Sequence, residues 1–213
     1  ATLRTGTHIA KLMVEHNRVI GVQTSNGEKI TADIVVSCAG RWTDQVSAMA
    51  GSILPMAPTY GLLATTSKIP ATLTSLVHTP DVNLRPEGGS RLLLASYDID
   101  VQVSPDMPET ALTRLANEVL DHARQIVPAL AWAKVDARVV GTRSIPADGF
   151  PAVGWMPELE GFYTVATHSG VTMGPLLGRI AASEILTGRP DPLLETFRPA
   201  RLLANRTAQT VDT

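Results

Sequence analysis

"YTVATHSGVTMGPLLGRIAASEIL", residues 163–186, changes character twice along its length. It opens as a short strand-like run, passes through Thr167, His168, Ser169 and Gly170, and after Pro175 carries Leu176, Leu177, Ile180, Ala181 and Ile185 at helical spacing. A strand is expected at 163–166 and a helix reaching Leu186, with Thr172 a candidate N-cap and Pro175 in the first turn, where its missing N–H costs nothing. The first N–H groups of such a helix have no intrahelical partner, and the aligned peptide dipoles place partial positive charge there. Gly170 and Gly174 let a ligand approach the backbone. Taken alone, the stretch reads either as a well-capped helix or as a seat for an anion or electron-rich acceptor.

Upstream, "ITADIVVSCAG" (30–40) gives a buried strand at 34–38 that ends in Ala39-Gly40 before a helical segment at 42–49. Small residues between a strand and a helix are a second favourable place for a ligand. Before it, runs at 7–14 and 18–24 read as strands joined by Glu15-His16-Asn17, with Asn26-Gly27 as the next turn. The texture changes between 55 and 140. Strands are expected at 59–66, 74–78 and 90–96, separated by Pro/Gly turns such as "RPEGGS" (85–90). A helix follows at 108–127, with Leu112, Leu115, Val119, Ala123 and Ile126 on one face. Residues 139–170 return to short strands flanking turns at Ala147-Asp148-Gly149 and Glu160-Gly161. The expected fold is mixed α/β, with an antiparallel sheet and covering helix between two terminal segments.

Composition excludes several functions. With 44% hydrophobic and 18% charged residues, the chain can build a core, and a net charge of −2 leaves no electrostatic footprint for nucleic acid or an anionic membrane. Residues 45–67 carry no formal charge, but Gly51, Pro55, Pro58 and Gly61 interrupt them, so no membrane-spanning helix is expected. The single Cys38 excludes an internal disulfide and suggests a reducing, cytoplasmic compartment. His8, His16, His78 and His122 show no metal-ligand spacing, so no metal is expected. The N-terminus has no secretion signal and enters strand-like sequence at once without an initiator Met, as in a chain cut from a longer protein.

The segment "GTRSIPADGFPAVGWMPELEGFYTVATHSGVTMGPLLGRIAASEILTG" (141–188) resembles the C-terminal signature of the flavin-dependent D-amino-acid oxidase superfamily. Its parts occur in family order: Arg143, the D-G-x-P-x-x-G turn from Asp148 to Gly154, a strand, and a T-H-S-G loop opening a helix. "VIGVQTSNGEKITADIVVSCAGRWTDQV" (19–46) is similar to the family's G-V-x-T-x-x-G…A-D-x-V-V-x-x-A-G-x-W segment. Two departures stand out. The family's Arg-Pro is here Arg143-Ser144, and the N-terminal G-x-G-x-x-G segment that binds the FAD pyrophosphate is absent from this chain.

The resemblance implies a partial FAD-binding domain at 1–54 and 141–213, with an inserted substrate domain at 55–140. It implies FAD as cofactor and a small amino-acid or amine substrate, oxidised at the C–H next to nitrogen by hydride transfer to the flavin. It also implies a missing dinucleotide-binding half, in cis or on another chain, so that this chain alone is expected to be inactive. Ser169, Gly170, Val171, Thr172 and Met173 match the loop facing the flavin pyrimidine edge. Ala39, Gly40 and Trp42 match the loop beside the cofactor, and Ile9 matches a strand residue whose backbone approaches the adenine. Arg143 matches the residue that grips the substrate carboxylate, a task suited to a planar fork of donors. His168 and Tyr97, the latter on a sheet roofing the cavity, are the further candidates for the catalytic cavity. Read locally, each has a plainer role: Arg143 as a strand-pairing arginine, Trp42 as core, His168 as hydrogen-bonded scaffold, Tyr97 as an ordinary strand tyrosine. The alternative function is a non-catalytic module that keeps the scaffold without a flavin of its own.

Overall fold

A computed structural model describes residues 1–70, 73–157 and 159–203. From the N-terminus, β1 (Ile9–Glu15), β2 (Arg18–Thr24) and β3 (Lys29–Thr31) form an antiparallel meander. Its first turn holds His16 and Asn17 in the left-handed region, which Asn tolerates through local hydrogen bonding. The next strand, β4 (Val35–Ser37), runs into a 3-10 turn at Gly40–Trp42 and the short helix α1 (Thr43–Ala48).

The middle of the chain builds a five-stranded antiparallel sheet from β5 (Tyr60–Thr66), β6 (Val77–His78), β7 (Asn83–Glu87), β8 (Arg91–Ala95) and, after two helices, β9 (Val135–Thr142). The strand order is β6-β7-β8-β5-β9. The helices are α2 (Tyr97–Asp100) and α3 (Glu109–Ile126). Leu115, Ala116, Val119, Leu120 and Ala123 line one face of α3 and pack on Leu62, Ala64, Leu84, Leu92 and Leu94, all buried. Fully burying a leucine-sized side chain stabilises by about 1.5–3 kcal/mol, so this face holds the helix in place. Ile126, expected on that face, is exposed at the helix end. Arg124 closes that end by donating to the carbonyls of Leu130 and Ala133. The stretch "RPEGGS" divides: Arg85-Pro86-Glu87 belongs to β7 and only Gly88-Gly89-Ser90 turns. Pro86 is accommodated because β6 pairs with β7 only at Asn83 and Leu84, so the missing N–H interrupts no ladder there.

The last segment gives β10 (Ala152–Trp155), β11 (Phe162–Ala166) and α4 (Gly170–Thr187). β11 pairs antiparallel with β10 and parallel with β4, in register Phe162↔Val35, Tyr163↔Val36 and Thr164↔Ser37. Val153 and Tyr163 on this sheet pack against Leu177, Ile180 and Ala181 of α4. α4 ends at Gly188, whose φ of +68° suits a left-handed C-cap and whose N–H returns to the Glu184 carbonyl. Contacts divide the chain into two units, residues 1–57 with 144–213, and residues 58–143.

Candidate functional site

In the first unit, the parallel pairing of β4 and β11 brings the C-terminal ends of both strands to the same side of their sheet. The two loops that follow therefore line one groove of about 440 Å³, walled by Cys38, Gly40, Thr167, Gly170, Gly174 and Gly178. The three glycines of α4 recur every four residues, and at each of them nothing lies within 4 Å of where a Cβ would stand. Gly40 has φ +58° and starts the 3-10 turn, whose geometry is held by the Thr43 hydroxyl donating to the Gly40 carbonyl at 2.7 Å. Ser144 faces Gly40, and its hydroxyl oxygen is buried with no partner among the described residues. Cys38 is exposed at the groove, and partial burial pushes its thiol pKa up.

The helix start differs from the sequence expectation. α4 begins at Gly170 after Ser169, so Thr172 is not its N-cap and Pro175 lies in the second turn. The Thr167 hydroxyl, accepting from the Ser169 N–H at 3.2 Å, braces the turn before the helix, and Met173 makes the first intrahelical bond, to the Ser169 carbonyl. Gly170, Val171 and Thr172 thus present N–H groups that have no acceptor within the helix. Val171 is 98% exposed, and His168 and Ser169 lie exposed in the loop. Ala39 adjoins Gly40, and Trp42 is half exposed beneath the Arg41 guanidinium. Ile9 lies apart from the groove lining, at the start of β1 opposite Thr24.

In the second unit, Arg143 follows β9 and donates its backbone N–H to the Thr59 carbonyl at 2.9 Å. Its guanidinium pairs with Asp100, whose other oxygen accepts the Leu62 N–H at 2.7 Å. Burial pushes the Asp100 carboxyl pKa up, partly offset by the Leu62 N–H and by Arg143. The Arg143 Cζ lies 5.2 Å from the centroid of the Tyr97 ring. Tyr97 is not a strand residue: Ser96 stays extended after β8, and Tyr97 opens α2 with its ring half exposed.

A buried clamp, missed from the sequence, fixes the far end of α4. Glu184 is 3% exposed and accepts from the Tyr163 hydroxyl at 2.6 Å, from Arg198 at 2.8 and 2.5 Å, and from the Asp191 N–H at 2.5 Å. Burial opposes the charge of Glu184, but its hydrogen bonds from Arg198, Tyr163 and Asp191 win and hold its pKa at about 2; burial and Glu184 push the Tyr163 hydroxyl well up. The sequence signal was present, since Leu177, Ile180, Ala181 and Glu184 share one helical stripe. Asp148 of the D-G-x-P-x-x-G turn is likewise held by Arg201, at 2.6 and 3.0 Å. Among the described residues no group of His, Cys, Asp or Glu gathers to hold a metal ion, and no helix is long and apolar enough to cross a membrane.

The fold is of the mixed α/β class, and a glycine-walled groove at the carboxyl ends of parallel strands, facing a helix N-terminus, is where such folds place ligands. More narrowly, the chain belongs to the FAD dependent oxidoreductase (DAO) family, which it matches over residues 1–184. It is 27% identical over 208 residues to the hydrogen cyanide synthase subunit HcnC of Pseudomonas aeruginosa, covering 92% of this chain and 48% of that protein. It is 25% identical to the glycine oxidase of the same organism, covering 91% of this chain and 52% of that one. The chain therefore spans about half the length of these relatives. The fold is shared with the L-proline dehydrogenase of P. horikoshii, at a TM-score of 0.76 and 23% identity over 93% of this chain and 54% of that one.

Proposed function

We propose that this chain is the part of an FAD-dependent oxidoreductase of amino acids or N-substituted amino acids that seats the flavin ring and grips the substrate carboxylate. The observation that carries the reading is the groove between Gly40 and α4, where three glycines leave the helix wall bare beside free N–H donors. These residues fit the ring end of FAD: the bare glycine wall admits a flat group, and the helix start favours negative charge. When bound, FAD supplies the two-electron acceptor for a C–H bond next to an amine. Gly170, Val171 and Thr172 would hold the electron-rich edge of the ring with their N–H groups and favour negative charge there. Arg143 takes the substrate carboxylate through charge-assisted hydrogen bonds. The pyrophosphate end would need a dinucleotide-binding half, in cis or on another chain; the outer edge of β4, which carries no strand among the described residues, is where such a half would add.

The test is Arg143→Lys in the complete protein. Lysine keeps the charge and loses the fork, a contact of roughly 1.5–3 kcal/mol, so KM for amino-acid substrates rises about ten- to a hundredfold while FAD content stays unchanged. Unchanged kinetics on glycine, sarcosine and L-proline overturn the carboxylate assignment. A colourless complete protein overturns the flavin assignment and favours the non-catalytic module.

A further inference from the structure

We infer that Asp100, together with Gly61 and Tyr97, positions the Arg143 guanidinium for a substrate carboxylate; this rests on the reading of Arg143 given above. The local register explains why Asp100 is where it is. β5 pairs with β9 along its whole length but with β8 only at Ala64 and Thr65, so the Leu62 N–H finds no strand partner on the β8 side. α2 follows β8 and supplies the acceptor instead: one oxygen of Asp100 takes this N–H at 2.7 Å, and the other takes the Nη2 of Arg143. The carboxylate is thus pinned to the sheet backbone before it touches the arginine.

Gly61 provides the room. A Cβ at this position would stand 2.9 Å from Nε and 3.0 Å from Nη2 of Arg143, so the guanidinium occupies the space of the absent side chain. The Tyr97 ring gives the guanidinium a second contact, at a distance where a cation is attracted to the ring face.

The pairing is lopsided in a way that suits presentation to a ligand. The Asp100 side chain is 6% exposed and that of Arg143 is 24% exposed. Among the described residues Asp100 accepts from Nη2, while Nε and Nη1 of Arg143 have no acceptor. Burying a carboxylate is unfavourable unless its partners are well fixed. Here that arrangement immobilises the guanidinium of a long, flexible side chain, with Nε against Gly61 and Nη2 on Asp100, and leaves Nη1 without an acceptor among the described residues. An exposed arginine without such a brace would lose rotamer freedom on each binding event, which weakens the grip.

The experiment compares Asp100→Asn, Gly61→Ala and Arg143→Lys in the complete flavoprotein, with acetate as the carboxylate probe. Binding is followed by the change in flavin absorbance, alongside FAD content and Tm. Asparagine keeps the Leu62 bond but turns an NH2 group toward the guanidinium; alanine at 61 leaves the ion pair chemically intact and displaces the arginine sterically. In both variants the Kd for acetate is expected to rise at least tenfold with FAD retained. In the Arg143→Lys background, Asp100→Asn is expected to change it less than twofold further. If Arg143→Lys weakens acetate but Asp100→Asn and Gly61→Ala bind it as the wild type does, or more tightly, the positioning role is overturned and the Arg143 reading survives. If Arg143→Lys has no effect, or the wild type binds no acetate, both fall together. Should Asp100→Asn fail to fold, Gly61→Ala decides alone, since its clash is with the movable end of one side chain.

Discussion

Gly170 is the residue at which a mere helix cap and a flavin seat give opposite outcomes. It opens α4 outside the left-handed region, and nothing lies within 4 Å of its missing Cβ, so the chain itself accommodates a side chain there. An acidic residue in a first helical turn is stabilising by roughly 0.3–1 kcal/mol. For Gly170→Glu in the complete protein, Tm should therefore stay level or rise slightly. Flavin reduction should nevertheless be lost, because the carboxylate fills the groove and opposes negative charge where reduction creates it. Rapid-mixing absorbance under substrate measures this directly; normal reduction with a full complement of FAD would make the loop a helix cap and nothing more.

At the scale of the element, α4 is held at its two ends by different means. Its start meets the groove through backbone, whereas its last turn is locked by the Glu184, Tyr163 and Arg198 clamp and closed by Gly188. A depressed carboxylate pKa makes this lock dependent on pH. Glu184 falls from the ordinary 4.5 to about 2 on folding, so its contribution is complete above pH 4.5 and disappears as the pH drops toward 2. The shift corresponds to at most about 3.5 kcal/mol. Thermal melts between pH 6 and pH 2 should show the wild type losing Tm more steeply than Glu184→Gln, which is less stable at neutral pH because Arg198 loses its charged partner. Parallel Tm curves for the two proteins would mean that the clamp contributes no charge-dependent stability.

For the whole molecule, each unit carries a different part of the proposed chemistry: the first unit the groove and helix start, the second the Arg143 cradle. Neither contains a G-x-G-x-x-G turn, and the chain matches relatives about twice its length. The polypeptide of residues 1–213 by itself should consequently bind FAD no more tightly than micromolar, since the ring end alone supplies a fraction of the contacts and none of the pyrophosphate anchoring. Quenching of flavin fluorescence on titration reads this out. Stoichiometric binding at nanomolar FAD would show that the groove alone suffices.

What could be read along the chain was local. The α3 stripe, the strand at 18–24, the glycines at 40 and 170 and the turn at 15–17 all follow from periodicity and backbone preference, which act over a few residues; the strand expected at 34–38 is shorter, Val35–Ser37, and only Ser37 of it is buried. The family signature likewise lay in contiguous motifs. Tertiary structure alone decided which charges meet. Asp100 and Arg143 are 43 positions apart and come together only because β8 stops short beside β5; Glu184 and Arg198 meet only after the chain reverses at Gly188. Pro86 reads as a turn residue in sequence and sits in a strand because β6 is too short to need its N–H. Pairings of this kind depend on where strands end and chains return, which no local pattern of residues encodes.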